Sequence, residues 1–524
     1  MNRSLGLLAF LGLLLLAFLV LGLSGGGGSG AGDGDDDGRG TLRIAVPKDP
    51  KSLDPIEIDE TLPEGVARRI FNCLVRYTSD LAIAPDLAES WTVSDDGRTW
   101  TFTLRPAVRF QNGREMSAAD AAWSLERLAD RKVSRRFDLL RDMESCSAAG
   151  PRTLVVKLSR PQPLFLNTLA MIPCAIVPRE EVARLGRDFA RRPVGTGPFR
   201  LAEWTDNQSL RLERFPDHFA GVPELRAVEY RIMSEPTVRF QAYLRGDLDI
   251  CDVPLGRLGE VRGWADHRSW PELDTFYLGI SFTREPCRSN VHLRRALNWA
   301  VDRERLCRVT LEGRGAPAKG VLPPKLPGYD PELAGYRYDP AAAARELELA
   351  GFPGGRGLEP IPLYHASGDS DSRFLAMELQ QQFRRAGIPV ELASCDKAEL
   401  KAMTQTNPPP LFHRSWVADY ADPENFLWSC FHGSLSGGSN RVHYSDPGTD
   451  RLLEAAAAMP AGPERLAAWS RAERRIVAEA PWVFLYHRSA HLLVRPEVRG
   501  FTATPLDTGP ALPWADFVRM RKAG

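Results

Sequence analysis

The segment from residue 85 to residue 127 constrains the fold of this chain more than any other part of its sequence. Trp91 and Val93 alternate with polar residues, and this period of two predicts a half-buried strand. The Asp96-Gly97 pair comes next and predicts a tight turn, because glycine tolerates the positive φ that a hairpin needs. A second strand is predicted over residues 99–104, with the large apolar side chains on one face: Trp100, Phe102 and Leu104.

A helix is predicted directly after this hairpin. Ser117, followed three residues later by Asp120, indicates a weak form of the capping box. Apolar residues then recur at the spacing of one helix face: Ala118, Ala121, Ala122, Leu125 and Leu128. The whole segment is a scaffold of strand, turn, strand and capped helix, and it carries no chemistry of its own.

The amino-acid sequence of this scaffold resembles that of one protein family. The sequence PDLAESW, then DDGRTWTFTLR, then VRFQNGREMSAAD is similar to the signature block of extracellular solute-binding protein family 5, the oligopeptide- and dipeptide-binding proteins of ABC importers. The resemblance implies an α/β, two-lobed periplasmic-binding-protein fold, type II-like (cluster C), with an extra subdomain in the first lobe. It also implies a protein that encloses a solute between its lobes and delivers it to a permease by hinge closure, without a chemical step.

Other segments resemble elements of the same family. A strand over residues 41–46 is followed by a Pro-rich turn, and residues 243–253 resemble an element that enters a strand. The segment PVGTGPF at residues 193–199 resembles a family turn, and it lacks the Lys-Ser/Thr pair of a phosphate-binding loop. A strand at 276–282 followed by a helix at 290–306 resembles the crossover into the second lobe.

The resemblance implies a domain division in which the first lobe is discontinuous. Lobe I is expected at 41–77, 197–278 and 487–524, with its peripheral subdomain at 78–196, and lobe II at 279–486. Alternating helices and strands in the second lobe predict sheets flanked by helices, with ligands in the crevice between the lobes. The remaining predicted elements are helices at 63–74, 339–351, 373–386 and 464–480, and strands at 153–158, 388–392 and 481–494.

Composition bounds the possible functions. The chain has 524 residues and 67 basic against 67 acidic side chains, so no overall field favours nucleic acid, and no basic run with interleaved aromatics is present. Eight cysteines show no C-x-x-C or related spacing, so neither a zinc motif nor a redox motif is indicated. We expect at least half of them to be buried as small hydrophobic residues. The formation of one or two disulfides is left as an alternative.

The N-terminal segment, residues 1–40, indicates the compartment. An apolar run at residues 5–23 follows Asn2-Arg3 and precedes a Gly/Asp-rich linker. The run is longer than the core of a signal peptide and slightly shorter than a typical membrane-spanning helix. It is therefore either a signal peptide that is cleaved or a single-span membrane anchor that is retained. No cysteine precedes Cys73, which argues against a lipoprotein cleavage site. Both alternatives predict a body that lies outside the cytoplasm, in the periplasm or its equivalent.

Ligand chemistry is expected in the segment HRSWVADYADPENFLWSCFH, residues 413–432, which resembles the family loop that lines the cleft. The resemblance implies that Asp419 accepts the α-ammonium of a bound peptide, as a carboxylate in a closing cleft is a strong acceptor. Asp422 is instead expected to cap a turn before Phe426. The other residues that the resemblance places at the ligand are Trp416 and Tyr420 by their rings, Ser415 and Val417 by their backbone, and Asp59 and Thr61 from the first lobe.

A basic residue is required for the peptide carboxylate, and the family alignment leaves three candidates open: Arg373, Arg414 and His413. Arginine suits bidentate carboxylate binding. Because relatives also bind nickel complexes, haem, sugars and other solutes, a non-peptide ligand is the alternative, and a membrane-tethered sensor is a second one.

A metal site and a catalytic site are both disfavoured by the sequence. His487 and His491 lie in a predicted strand, which separates them by about 13 Å on one face. No nucleophile motif or H-E-x-x-H pattern is present. We therefore expect a monomeric binding protein without catalytic residues, metal or cofactor, whose partners are a short peptide and the membrane subunits of an ABC permease.

Overall fold

The computed structural model describes residues 40–368, 370–512 and 515–523. The apolar run at residues 5–23 and the linker after it lie outside these residues. Within the described ranges no helix combines the length and the apolar character needed to cross a bilayer.

The strands, numbered along the chain, have the following bounds: β1 Thr41–Val46, β2 Val75–Tyr77, β3 Ile83–Pro85, β4 Ala88–Val93, β5 Thr99–Leu104, β6 Met143–Gly150, β7 Thr153–Leu158, β8 Phe199–Thr205, β9 Ser209–Arg214, β10 Ala227–Ile232, β11 Ile250–Asp252, β12 His267–Pro271, β13 Asp274–Ile280, β14 Gly315–Pro317, β15 Ile361–Ala366, β16 Val390–Cys395, β17 Leu411–Val417, β18 Trp482–Val494, β19 Val498–Arg499 and β20 Arg521–Lys522.

The α-helices have these bounds: α1 Thr61–Ile70, α2 Ala118–Ala129, α3 Phe165–Leu169, α4 Arg179–Leu185, α5 Pro236–Arg245, α6 Leu258–Val261, α7 Val291–Trp299, α8 Arg303–Arg305, α9 Pro340–Leu349, α10 Ser370–Arg385, α11 Lys397–Thr406, α12 Pro423–Phe431, α13 Pro447–Ala457 and α14 Pro463–Glu479. Short 3₁₀ segments cover Pro55–Glu57, Phe137–Leu140, Ile172–Cys174, Gly186–Ala190, Pro353–Gly355 and Gly433–Leu435, and a π turn covers Leu306–Thr310.

One mixed sheet of 12 strands organises the molecule, in the order β16-β15-β17-β13-β18-β11-β1-β10-β9-β8, with β12 and β14 also paired to β18. Its two halves are built separately. In one half, β1 runs parallel to β10, and β10, β9 and β8 continue as antiparallel neighbours. In the other half, β15 is parallel to β16 and β17, and β17 is antiparallel to β13. Helices pack on both halves, as expected for an α/β fold.

Strand β18 belongs to both halves of the sheet. Its first part, from Trp482 to Tyr486, pairs with β13, and its last part, from Ala490 to Val494, pairs with β11 and β12. The connection between β12 and β13 crosses beside it at residues 272–273. The two lobes are thus joined where β18 and this connection run side by side.

The predicted hairpin and helix are confirmed. Strands β4 and β5 pair as an antiparallel hairpin, Gly97 has φ +69°, and Trp100, Phe102 and Leu104 are buried. They form a separate sheet of 4 strands, β4-β5-β7-β6, against which α2 packs. The capping box is present, because the Asp120 carboxylate accepts from the Ser117 backbone N–H at 2.9 Å. Val93 departs from the prediction, since it lies at the end of the edge strand and is 46% exposed.

The helix predicted at residues 63–74 was placed wrongly at both ends. It covers Thr61–Ile70, and Phe71 is already extended with ψ 155°. The carbonyl of Ile70 accepts from the Gly197 N–H at 2.8 Å and from the Gln111 amide at 3.1 Å. Tertiary contacts from the PVGTGPF turn therefore occupy the end of this helix, and no local sequence signal marks that end.

The helix predicted over residues 290–306 is interrupted after Trp299. The Asn298 carbonyl would accept from the Asp302 N–H in a continuous helix. Instead it accepts from the buried guanidinium of Arg303 at 3.0 Å, and the Asp302 N–H donates to Gln382 at 2.7 Å. Asp302 then caps the next turn by accepting from the Arg305 N–H at 2.9 Å. The buried Arg303 thus ends α7, because its guanidinium donates to the Asn298 carbonyl in place of a helical N–H.

The cysteines are all free, and seven of the eight are buried. Burial raises the pKa of the thiols of Cys73 and Cys287 to about 12. These cysteines are unreactive packing residues, which confirms the expectation for most of them.

Candidate ligand-binding site

A pocket of about 250 Å³ brings together segments from distant parts of the chain. One wall comes from the start of α1 and the turn before it, and the opposite wall comes from the end of β17 and the loop after it. The pocket is lined by Ile58, Asp59, Glu60, Thr61, Glu64, Arg136, Met171, Pro173, Val417, Ala418, Asp419, Leu506 and Thr508. Four of the residues expected at the ligand, Asp59, Thr61, Val417 and Asp419, therefore meet in one place.

Asp419 is exposed to this pocket. Within the part of the chain that the structure describes, its carboxylate accepts no hydrogen bond and forms no ion pair. Its backbone N–H donates to the side-chain oxygen of Asn425 at 3.0 Å, and the same oxygen accepts from Trp416 Nε1 at 3.2 Å. The backbone of Asp419 is therefore fixed while its charge is left available.

Asp422 anchors the loop rather than the ligand, which confirms its predicted capping role. It is the N-cap of α12 and accepts from the Glu424 N–H at 2.9 Å. The buried guanidinium of Arg465 donates to both of its oxygens at 2.7 and 3.0 Å. This bidentate pair ties the end of the loop to α14.

The other carboxylates of the pocket are already paired. Asp59 lies 3.8 Å from Lys401, and Glu64 lies 2.7 Å from Arg68. Burial alone would raise the pKa of Glu60, but Lys48 and Lys51 outweigh it and the pKa is lowered. Arg136 also lines the pocket, and it donates to the Ile58 carbonyl at 3.3 Å. Asp419 is thus the carboxylate in this pocket that a ligand cation meets without displacing a partner.

The rings of Trp416 and Tyr420 pack against the largest apolar core instead of lining the pocket. Burial and the nearby Glu424, Asp422 and Asp419 carboxylates raise the pKa of Tyr420 well above its ordinary value. Both rings therefore support the loop from behind.

Successive side chains of β17 point to opposite faces of the sheet. Val417, Ser415 and His413 share the face that carries Phe276, and His413 stacks on that ring with centroids 6.0 Å apart. Trp416 and Arg414 lie on the other face, where Arg414 is opposite Tyr277. The structure thus separates two of the basic candidates, His413 and Arg414, onto different sides of the sheet.

A second pocket of about 510 Å³ continues along the same crevice. Its floor is a row of rings formed by His413, Phe276 and Tyr486, and Phe276 and Tyr486 stack with centroids 4.5 Å apart. Arg488 follows Tyr486 on the same strand and also lines the pocket. The segment of residues 505–510 borders both pockets, because Leu506 and Thr508 line the first and Gly509 and Pro510 the second.

Arg373 lies elsewhere. Together with Phe374 and Met377 it lines an open groove of about 940 Å³ beside the ends of β15 and β16. This groove shares Phe374 with the second pocket but no residue with the pocket of Asp419.

His487 and His491 each have one ring nitrogen in contact with another group. His487 is buried and its Nδ1 lies 3.0 Å from the Asp274 carbonyl, while burial lowers its pKa to about 4. His491 lies 3.0 Å from His267, ring to ring. Among the described residues no group of three His, Cys, Asp or Glu side chains has the geometry to hold a metal ion.

Sequence reasoning missed two residues: Asn425, which holds the loop of Asp419, and Arg488, which lines the second pocket. Arg488 carries a sequence signal, because it is a charged residue inside the apolar strand WVFLYHRSAHLLV. Asn425 carries none, since an asparagine in the first turn of a helix is common.

Two lobes that share the strand β18, with pockets lined from both sides, define the class of two-lobed solute-binding proteins. Residues 82–438 match the family described as bacterial extracellular solute-binding proteins, family 5. The chain belongs to this family.

Curated relatives agree with this assignment, and solved structures share the fold. The glutathione-binding protein GsiB of Salmonella typhi is 27% identical over 489 residues, covering 90% of this chain and 94% of that protein. The periplasmic binding protein DppA from Helicobacter pylori, solved with the peptide STSA, gives a TM-score of 0.81 at 24% identity, covering 93% of this chain and 98% of that one. NikZ from Campylobacter jejuni, solved with Ni(L-His), gives a TM-score of 0.79 at 21% identity, covering 92% of this chain and 100% of that one.

Family membership fixes the general role. The protein is an extracytoplasmic solute-binding component of the ABC-importer type, and proteins of this family bind and deliver solutes rather than transform them.

Proposed function

We propose that the solute is a short peptide with a free amino terminus, captured at Asp419 and delivered to the membrane subunits of an ABC permease. The observation that carries this proposal is the exposed Asp419 carboxylate, which has no hydrogen bond or ion pair among the described residues while its backbone is fixed by Asn425. An ammonium group matches such a carboxylate as a charge-assisted hydrogen-bond donor.

The backbone of β17 supports an extended peptide. On one edge, residues 411–417 pair with β13. On the other edge, β15 pairs only with Leu411 and Phe412, so residues 413–417 have no strand neighbour there among the described strands. A peptide added at this edge forms main-chain hydrogen bonds that ignore side-chain identity. Asp59 and Thr61 close the amino-terminal end from the first lobe.

The test uses three pools of random tetrapeptides: free, N-acetylated and C-terminally amidated. A ligand that binds only the folded state at 100 times its Kd stabilises it by about 2.7 kcal/mol, so the free pool should raise the Tm and the acetylated pool should not. Asp419→Asn should weaken binding of the free pool about 10- to 100-fold, because a hydrogen bond to a charged group is lost.

The matched control is Asp95→Asn, which changes an exposed carboxylate in the hairpin turn. It should leave the peptide affinity unchanged. If no peptide pool raises the Tm, the peptide assignment fails and the alternative is a non-peptide solute such as the nickel complex bound by NikZ. Mass spectrometry of solute that co-purifies with the native protein then identifies it.

The residues 5–23 decide between a released and a tethered form. Cleavage yields a free periplasmic protein, whereas retention yields a membrane-anchored one, which is the form that a solute sensor needs. The intact mass of the mature protein distinguishes the two.

A further inference from the structure

A pocket of about 280 Å³ lies apart from the crevice, and we call it the C-terminal pocket. It is formed where the end of α1, the segment that leads into β2, the loop between β9 and β10 and the C-terminal residues 515–519 meet. It shares no lining residue with the two pockets of the crevice or with the groove of Arg373. The capture of a solute in the crevice does not use it.

The lining of the C-terminal pocket carries an excess of positive charge. Among the described residues of this lining, the basic ones are Arg68, Arg69, Arg76, Arg105 and Arg519. The acidic ones are Asp86 and Asp516. Because positive side chains outnumber negative ones around a concave surface, the pocket attracts anions.

Three of these arginines are already engaged. Arg68 and Arg519 are each paired with a carboxylate, at 2.7 and 3.8 Å. The buried Arg69 donates to a backbone carbonyl of the C-terminal segment at 3.0 Å. The charge that is left for a ligand therefore lies on Arg76 and Arg105.

Arg105 is fixed at one edge of its guanidinium and open at the other. Its Nε donates to the backbone carbonyl of Asp86 at 2.5 Å, and its guanidinium carbon lies 5.8 Å from the centroid of the Phe219 ring. Among the described residues, Nη1 and Nη2 of Arg105 have no hydrogen-bond acceptor and no carboxylate within ion-pair distance. The exposed Arg76 likewise has neither. Two guanidinium groups thus offer their terminal nitrogens to a ligand.

The Asp86 carboxylate does not neutralise these two arginines by contact. It accepts from the Asn72 amide through both oxygens, at 3.2 Å each. Burial raises the pKa of Asp86 to about 6, although Arg76 and Arg105 act in the opposite direction. Because it forms no ion pair with either of them, one negative charge stands against two positive ones.

His218 adds a neutral donor to the same pocket. Its side chain is 6% exposed, and neither ring nitrogen forms a hydrogen bond of standard geometry with a described residue. Burial lowers the pKa of His218 to about 4, against an opposing effect of the Gly221 backbone, so the ring carries one N–H group at neutral pH. A buried N–H without a partner is unfavourable, and an acceptor bound in the pocket removes that penalty.

We propose that the C-terminal pocket binds a small dianion, a phosphate or a dicarboxylate, through the terminal nitrogens of Arg76 and Arg105 and the N–H of His218. Planar guanidinium groups bind both kinds of oxyanion bidentately. A volume of about 280 Å³ admits an anion of several non-hydrogen atoms, because one water takes up about 30 Å³ in the liquid. The three donors come from β2, from the residue after β5 and from the loop between β9 and β10. A bound anion therefore ties these segments together and stabilises the folded state.

The experiment titrates the purified protein with two probes, inorganic phosphate and succinate, at neutral pH and at an ionic strength held constant with sodium chloride. We expect at least one probe to bind saturably at one site per chain, and the tighter of the two shows whether phosphate or carboxylate is the preferred group. Arg76→Gln and Arg105→Gln should each weaken this binding at least about tenfold, because a charge-assisted hydrogen bond is lost. Arg105→Lys keeps the charge without the planar fork and should also bind more weakly than the wild type.

The matched control is Arg187→Gln, which removes an exposed arginine outside the pocket and should leave the affinity for both probes unchanged. The Tm of each variant without probe shows that it is folded, and the exposed Arg76→Gln carries the test if Arg105→Gln is not. No saturable binding of either probe overturns the proposal. An affinity that survives in both glutamine variants of the pocket overturns it as well. An equal loss in Arg187→Gln would also overturn it, because the probes would then respond to the overall surface charge.

Discussion

The side-chain oxygen of Asn425 lies 3.0 Å from the backbone nitrogen of Asp419 and accepts its hydrogen bond. Asn425 is 2% exposed and sits in the first turn of α12, whose N-cap is Asp422. Helix α12 therefore holds the loop through Asn425. The position of the Asp419 carboxylate depends on this residue, although Asn425 lines neither pocket.

The first prediction concerns this support. Asn425→Ala removes the acceptor of two donors, the Asp419 N–H and Trp416 Nε1, and should weaken binding of the free tetrapeptide pool about tenfold, or 1.4 kcal/mol. Isothermal titration measures the change. In a double-mutant cycle with Asp419→Asn the two effects should be less than additive, because both act on the same carboxylate. Full additivity would show that Asn425 acts on the fold alone.

The second prediction concerns the pair of Arg465 and Asp422. Arg465→Met leaves the Asp422 carboxylate buried without its cation, next to Glu424, and should lower the free energy of unfolding by about 3–5 kcal/mol. Urea denaturation at pH 8 measures this loss. The control Arg257→Met breaks an exposed pair with Glu260 and should cost less than about 1 kcal/mol. Equal losses in the two variants would contradict the anchoring role of Arg465.

Local signals explain which parts of the fold were predictable. The hairpin of β4 and β5, the capping box of α2 and the Asp339-Pro340 start of α9 depend on residues a few positions apart, and all three are observed. The end of α1 at Ile70 was not predictable, because the atom that ends it belongs to Gly197. Helix α7 was predicted too long for a related reason, since the Asn298 carbonyl accepts from the Arg303 side chain.

The candidate site divides along the same line. Asp419 was predicted as a ligand residue because the sequence of the loop around it is distinctive, and its neighbours Asp59 and Thr61 were predicted from the same resemblance. The direction of each side chain was not predictable, so Trp416 and Arg414 were expected in the cleft although they occupy the opposite face of β17. Arg488 required knowledge of which strands lie side by side, and register across β17, β13 and β18 is a tertiary property.

The third prediction concerns the PVGTGPF turn, whose role is close packing. A Cβ at Gly197 would lie 2.4 Å from the Ile70 carbonyl carbon and 2.6 Å from the Arg69 carbonyl oxygen. Because both contacts are backbone, the chain must shift, and Gly197→Ala should destabilise the protein by about 1–3 kcal/mol. Gly259→Ala is the matched control, since a Cβ there meets nothing within 4 Å. Thermal unfolding of both variants measures the loss of stability, and a Gly197→Ala variant as stable as the wild type would contradict the packing role.

The fourth prediction concerns the pH dependence of stability. Glu473 is buried on α14, and its Oε1 accepts from the N–H groups of Val321 and Leu322 at 2.8 Å each. Burial raises the pKa of Glu473 to about 7, well above that of an unfolded glutamate. The folded state therefore holds a proton that the unfolded state has lost, and the stability contributed by this group is full below about pH 4.3 and is lost as the pH rises through 7.

Glu473→Gln keeps an acceptor oxygen but has no proton to lose, so its stability relative to the wild type should rise between about pH 4.5 and pH 7, with a slope approaching 1.4 kcal/mol per pH unit. Urea denaturation at half-unit pH steps measures the difference. Three other carboxyl groups, Asp86, Asp274 and Glu424, have pKa values raised mainly by burial and contribute to the wild-type profile, but they cancel in this comparison. The exposed Glu348→Gln should show no such rise, because its side chain is in water in both states. A pH-independent difference for Glu473→Gln would mean that Glu473 is ionised throughout, and that the two backbone N–H groups outweigh its burial.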